Sequence, residues 1–118
     1  MVQLTPQEEQ LMLIIWQTGN GFVKDYREQY PEPQPPYTTV ATIIKKLENK
    51  GYVASKLYGN TYEYSIQISE TDYKKQFASG FVQNFFSNSY KDMVTFFAQE
   101  EKLSEKDLKQ IIRMIRNK

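Results

Sequence analysis

The residues from Tyr37 to Val53, Tyr-Thr-Thr-Val-Ala-Thr-Ile-Ile-Lys-Lys-Leu-Glu-Asn-Lys-Gly-Tyr-Val, constrain the fold more than any other stretch. Val40, Ile43, Ile44 and Leu47 recur at i, i+3, i+4 and i+7, which predicts a helix with one buried face. Prolines end just before it. Thr38 or Thr39 is the expected cap, since a hydroxyl accepts from the free N–H groups of a first turn. Gly51 is expected to end the helix, because glycine tolerates a left-handed terminus. At about 100° per residue, Thr38, Thr42, Lys45 and Asn49 fall opposite the apolar stripe, with Lys46 beside them. Hydroxyls, an amide and ammonium groups line that side, and no carboxylate does. The face suits contact with a polyanion, although for the helix taken alone a plain solvated surface is the preferred reading. The segment after Gly51 separates the two.

That segment reads as a hairpin. Tyr52–Leu57 and Thr61–Ile68 are rich in β-formers and alternate in character. The turn-forming pair Gly59-Asn60 sits between them. In the second strand Tyr62, Tyr64, Ile66 and Ile68 share one face and Thr61, Glu63, Ser65 and Gln67 the other. Lys56, Tyr58, Asn60 and Thr61 gather at the tip. A hairpin directly behind a polar-faced helix is the wing of a winged helix-turn-helix.

The preceding residues supply the other parts. Thr5, Pro6 and Glu8 form a predicted capping box. Leu11, Ile14 and Ile15 make the buried stripe of the first helix, widened by Met12 and Trp16. Trp16 reads as packing, not as part of a cofactor site. Thr18-Gly19-Asn20-Gly21 ends that helix. Phe22–Tyr30 is predicted as a short second helix, with Phe22, Val23, Tyr26 and Tyr30 apolar. The proline-rich run Pro31–Pro36 cannot continue it and reads as a stiff turn, too short to stand clear as a proline-motif ligand.

Beyond residue 68 the pattern changes. Ser69 is an expected cap, and Tyr73, Phe77, Phe81 and Phe85 recur every four residues, flanked by Val82 and Phe86. Ser87-Asn88-Ser89 breaks the run. A helix at Asp92–Gln99 places Met93, Phe96 and Phe97 on one face. A last helix begins after Ser104, with Leu108, Ile111, Ile112 and Ile115 again at i, i+3, i+4 and i+7. Six of the seven phenylalanines lie between residues 77 and 97. Packing of this tail on its own chain is one outcome. A second copy is the expected cover, because residues 1–68 already make a complete small fold.

Charge is uneven. Residues 1–36 carry two basic and five acidic side chains, residues 37–60 four and one, and residues 61–118 nine and eight. The overall +1 therefore hides a +3 segment on the polar-faced helix and wing, the footprint of a phosphate-backbone contact. The chain has no cysteine and no histidine, which excludes disulfides, thiolate and imidazole catalysis, and zinc-finger spacing. No metal or cofactor is expected. Glu8 and Glu9 begin a helix and Glu100 and Glu101 end one, so neither pair faces another carboxylate across a cleft, and an enzyme is not expected. No apolar run spans a membrane and no signal peptide is visible, so a cytoplasmic location without membrane insertion is expected.

With these residues in view the sequence resembles the penicillinase-repressor (BlaI/MecI/CopY) family. The likeness lies in Leu4–Glu8 with Trp16, in the run from Tyr37 to Val53, and more loosely in Met93–Ala98 and Leu103–Leu108. It implies a homodimeric winged-helix repressor on a palindromic double-stranded DNA operator, with residues 69–118 as the dimerisation domain. In sensor-coupled members a membrane sensor protease acts indirectly and the repressor is cut in that tail. The cut pair of the family is Asn-Phe, and the aligned pair here is Phe96-Phe97. The copper-responsive members use a cysteine-rich hook, which this chain lacks.

The fold expected is mostly α with a small β-hairpin, a winged helix-turn-helix over residues 1–68 followed by a helical region. The helix at 38–50 is placed in the major groove. Thr38, Thr39 and Thr42 are assigned to phosphates or base edges, Lys45 and Lys46 to phosphate or guanine, and Lys56, Tyr58 and Asn60 to the backbone or minor groove. Phe77, Phe81, Phe85, Phe86, Phe96, Phe97, Leu108, Ile111, Ile112 and Ile115 are assigned to the dimer interface. The competing reading is a winged-helix protein-interaction module without sequence-specific DNA binding, since fold alone does not settle function.

Overall fold

The computed structural model describes residues 2–117 and divides the chain into two compact units, residues up to Lys74 and residues from Lys75 on. The described residues form six helices and a two-stranded antiparallel hairpin, so the chain is mostly α with a small β element, as its patterning predicts.

In the first unit, helix α1 spans Pro6–Thr18. Thr5 Oγ1 accepts the Glu8 N–H at 3.2 Å, and Glu8 Oε1 accepts the Thr5 N–H at 2.9 Å. The predicted capping box therefore forms, satisfying two orphan donors reciprocally. Helix α2 is shorter than predicted: Val23–Arg27, not Phe22–Tyr30. The Gln29 and Tyr30 N–H groups reach back only three residues, to Tyr26 and Arg27. Arg27 Nε donates to the Pro35 carbonyl at 2.8 Å, and Gln34 Nε2 donates to the Tyr30 carbonyl at 3.2 Å. These side-chain bonds fold the proline run back on the end of α2.

Helix α3 spans Tyr37–Asn49, and neither Thr38 nor Thr39 caps it. The cap position falls on Pro36, whose φ of −59° is already preset for helix entry. Its carbonyl accepts the Thr39 and Val40 N–H groups at 3.0 and 3.3 Å. Val40, Ile43, Ile44 and Leu47 are buried as their spacing requires. They meet Leu11, Met12 and Ile15 of α1, Val23 and Tyr26 of α2, and Tyr52, Val53 and Tyr64 in a single core. Each such side chain contributes about 1.5–3 kcal/mol on burial. The Tyr26 hydroxyl donates to the Gly19 carbonyl at 2.8 Å, tying α2 to the end of α1, and burial pushes its pKa up to about 12.

Gly51, at φ +84°, turns the chain out of α3, where a side chain would be strained. Strands β1 (Val53–Tyr58) and β2 (Thr61–Ile66) pair antiparallel with Val53 opposite Ile66 and Tyr58 opposite Thr61. Gly59 takes positive φ at the first of the two loop positions, as Gly-first hairpin turns do. Tyr52, Gln67 and Ile68, predicted within the strands, leave the ladder: the Tyr52 carbonyl accepts both the Gln67 and the Ile68 N–H. Gly21 bridges to Tyr64 on the far side of β2, so the chain between α1 and α2 adds a short third edge.

Helix α4 spans Glu70–Phe86, and its first turn belongs to this unit. Ser69 Oγ accepts the Asp72 N–H at 3.1 Å, as expected of the cap. Trp16 Nε1 donates to the Ile68 carbonyl at 2.9 Å, and the Trp16 and Tyr73 rings lie 5.3 Å apart. The Tyr73 hydroxyl donates to Glu9 Oε2 at 2.6 Å. Trp16 is therefore packed and hydrogen-bonded.

The second unit holds the rest of α4, helix α5 (Tyr90–Gln99) and helix α6 (Glu105–Arg116). Ser87 and Asn88 take positive φ, 49° and 67°, and the Asn88 N–H closes back on the Val82 carbonyl. Helix α5 begins two residues before the predicted Asp92, because Ser89 supplies the cap at 3.0 Å from the Asp92 N–H. Ser104 and Asp107 form a second capping box. Phe86 meets Phe96 with ring centroids 5.7 Å apart. Among the described residues of this unit only Val82 is buried.

Candidate nucleic-acid interface

The buried stripe of α3 fixes what its other side presents. Thr38, Thr39, Thr42, Lys45 and Lys46 are all exposed, and the helix is rigid beneath them because Val40, Ile44 and Leu47 are sealed in the core. Thr42 Oγ1 donates to the Thr38 carbonyl at 2.9 Å. With its proton so engaged, the hydroxyl oxygen keeps lone pairs that can accept. On the wing Lys56, Tyr58 and Asn60 are exposed as well. The register places Lys56 opposite Glu63 and Tyr58 opposite Thr61. Tyr58 is braced from behind: its ring meets Phe22 edge-on at 5.9 Å. A shallow cleft of about 380 Å³ opens there, lined by Phe22, Lys24, Asp25, Tyr37, Tyr58 and Thr61. Tyr37 at the start of α3 and Tyr58 and Thr61 at the wing tip thus line one opening.

The charge of this surface differs from a count of its lysines. Lys50 Nζ pairs with Glu8 Oε1 at 2.5 Å and also donates to the Gln3 carbonyl. Glu8 is 3% exposed. Burial alone pushes its carboxyl up, but the Lys50 ammonium and the Thr5 N–H outweigh it, and its pKa lies below the ordinary 4.5. Lys50 therefore counters a buried charge inside the fold and drops out of the basic surface. The acid counted beside it, Glu48, is committed too: its Oε2 accepts from the Ser55 N–H and hydroxyl, fastening the wing to α3. Lys45, Lys46 and Lys56 are what remains pointing outward.

Two features escape a reading of the sequence. The Lys50–Glu8 pair spans 42 positions, and the capping box already gives Glu8 a local role. The other is Tyr62, whose ring lies 5.9 Å from Lys45 Nζ. Alternation places Tyr62 on the face of Tyr64, yet it stays 48% exposed where Tyr64 is buried. The hairpin extends past the core at that point, and pattern alone does not reveal where a core stops.

In the second unit, Phe77, Phe85 and Phe96 are exposed, and Phe81, Phe86 and Phe97 are half-buried. On α6 Leu108 is half-buried, whereas Ile111, Ile112 and Ile115 are exposed. The α6 stripe is thus aligned on one side of the helix and left uncovered.

No helix among the described residues is long and apolar enough to cross a membrane. Residues 4–117 match the family model described as penicillinase repressor. The methicillin resistance regulatory protein MecI of Staphylococcus aureus (strain N315) is 22% identical over 120 residues, covering 98% of this chain and 95% of that protein. A penicillinase repressor of Staphylococcus aureus is 28% identical over 114 residues, covering 93% and 88%. One of Bacillus licheniformis is 20% identical, covering 96% and 89%. With the family model spanning both compact units, the chain belongs to the penicillinase-repressor family, whose members are transcriptional regulators and not enzymes.

Proposed function

We propose that this chain is a cytoplasmic, homodimeric repressor that binds a palindromic duplex operator through residues 38–50 of α3 and its flank and residues 56–62 of the wing. The outward face of α3 carries this reading: five exposed threonines and lysines on a helix whose other side is locked into the core. Lys45 and Lys46 meet phosphate or guanine, Lys56 meets the DNA backbone or minor groove, and Thr38, Thr39 and Thr42 bond phosphates or base edges in the major groove, setting register and choice. Tyr58 and Asn60 meet the backbone or minor groove beside them. Two copies then read half-sites about one helical turn apart, or a multiple of it.

Pairing rests on residues 69–118. A helix with Ile112 and Ile115 in water is an unfinished core, and a second copy of the same stripe covers it by twofold symmetry. Phe77, Phe81, Phe85, Phe86, Phe96, Phe97, Leu108 and Ile111 complete the proposed interface. A membrane sensor protease enters as an indirect partner. Phe96-Phe97 stands inside α5 where the family's cut pair is Asn-Phe, so relief of repression by a cut at that pair is not part of this reading.

The test is a mobility shift with the DNA upstream of the chain's own gene, repeated across salt concentrations. Lys45→Ala with Lys46→Ala should weaken binding and lower the magnitude of the salt slope by about 0.9 for each phosphate no longer neutralised. Equal affinity for every duplex would favour the interaction-module reading, and an unchanged slope in the double variant would remove both lysines from the interface.

A further inference from the structure

We propose that Tyr62 is a positioning residue for Lys45: its ring confines the lysine to the wing side of α3 and so selects which part of the duplex the ammonium meets. The inference rests on the reading of α3 as the DNA-contacting helix and adds a residue outside it. Lys45 Nζ stands 5.9 Å from the centre of the Tyr62 ring, within the range where an ammonium is drawn to an aromatic face. The nearest acid along the helix does not compete for that ammonium: Glu48, three residues on, is held by Ser55. Neither Lys50 nor Lys46 is available to the ring, the first being paired with Glu8 and the second lying farther round the helix. The two adjacent lysines, 45 and 46, therefore differ in freedom.

The fold does not need Tyr62 where it is. Tyr62 pairs across the hairpin with Leu57, and both remain largely exposed, at 48% and 60%. The hairpin runs past the core here, so packing does not hold the Tyr62 ring and it is open to Lys45. A lysine loses rotamer freedom when it docks on one acceptor, and a ring that already narrows its range removes part of that loss before binding. Lys45 then contributes register as well as charge, while Lys46 contributes charge alone.

The experiment uses the full chain, the duplex that wild type recovers from a random pool, and the variants Tyr62→Phe, Tyr62→Ala, Lys45→Ala and Lys45→Ala with Tyr62→Ala. In the free protein the Lys45 side-chain methylene protons should be shifted upfield by the ring, kept so in Tyr62→Phe and released in Tyr62→Ala. Tyr62→Phe should bind as wild type. Tyr62→Ala should bind roughly two- to fivefold more weakly, with relaxed preference at one base position per half-site, and should cost nothing further once Lys45 is alanine. Unshifted Lys45 protons in wild type would overturn the proposal, as would a Tyr62→Ala penalty that persists in the Lys45→Ala background. Tyr62→Phe falling as far as Tyr62→Ala would also overturn it, since the hydroxyl would then be touching DNA itself. A wild-type chain that recovers no duplex overturns the parent reading and this one together, whereas tight binding with additive penalties overturns this one alone.

Discussion

Helices α3 and α6 carry the same apolar spacing, Val40-Ile43-Ile44-Leu47 in one and Leu108-Ile111-Ile112-Ile115 in the other. In the unit up to Lys74 that stripe is sealed against α1, α2 and the hairpin. In the unit from Lys75 on, three of its four members face water, Ile115 at 65%. Spacing therefore states that a helix face has to be covered, and it does not state by what. The first unit finds its cover within about seventy residues, close to the smallest size at which a single core suffices. In the second, Val82 is the single buried residue among those described, and a core of one valine cannot offset the chain entropy of three ordered helices.

Truncating both stripes tests this contrast most strongly. Ile44→Ala should destabilise the first unit by about 2–5 kcal/mol, read from urea unfolding monitored by the fluorescence of Trp16, the sole tryptophan. Ile115→Ala in the same assay should fall within about 0.5 kcal/mol of wild type. Equal losses would break the comparison. The next effect sharpens it. Ile112→Asp with Ile115→Asp should weaken self-association about 100-fold, about 2.7 kcal/mol, in sedimentation equilibrium, while the Trp16 transition stays where it was. A double variant that remains paired would place the dimer contact elsewhere.

A smaller effect concerns how the first unit holds a charge. Glu8→Gln keeps the shape of the capping box and removes the negative charge that pairs with Lys50, so it should cost about 1–2 kcal/mol at neutral pH. The sign with pH is set by the lowered carboxyl. A group whose folded pKa is depressed stabilises the fold above its unfolded pKa and loses that contribution as pH falls through the folded value. The gap between wild type and Glu8→Gln should therefore be constant above about pH 5 and should close as pH falls below the ordinary 4.5. Chemical denaturation at stepped pH measures it, and a gap that widens in acid would contradict the pairing.

Much of the first unit is legible in the sequence because its determinants are local. The Thr5–Glu8 box, the Gly51 stop, the Gly59 turn and the α3 stripe each act within a few residues, and all appear as expected. The departures come from backbone geometry and from side-chain bonds that residue type alone does not announce. Proline at 36 takes the cap from threonine through its backbone geometry alone. Lys50 counts as surface in the sequence because Glu8 is 42 positions away. The shortened α2 owes its end to Gln34 and to an arginine bond to Pro35. Of the candidate interface, the outward lysines and threonines can be placed by angle about the helix, whereas the Tyr62 brace needs the hairpin's position against α3.

The least effect on folding is expected where the candidate interface is richest. Thr42→Val keeps the β-branch and the methyl group and deletes the hydroxyl that donates to the Thr38 carbonyl. That bond lies in solvent, and threonine bonds of this kind stabilise a helix little, so the Trp16 transition should move by less than about 0.5 kcal/mol. Binding should respond differently. If the hydroxyl oxygen accepts from a base edge or the methyl meets thymine, Thr42→Val separates the two: affinity for the selected duplex falls about fivefold, ~1 kcal/mol, in the first case and holds in the second. A variant that binds as wild type and keeps its preference assigns Thr42 an apolar contact. One that melts early shows that the back-bond supports α3, and the contrast between a face that stabilises the fold and a face left free for DNA would then fail at its centre.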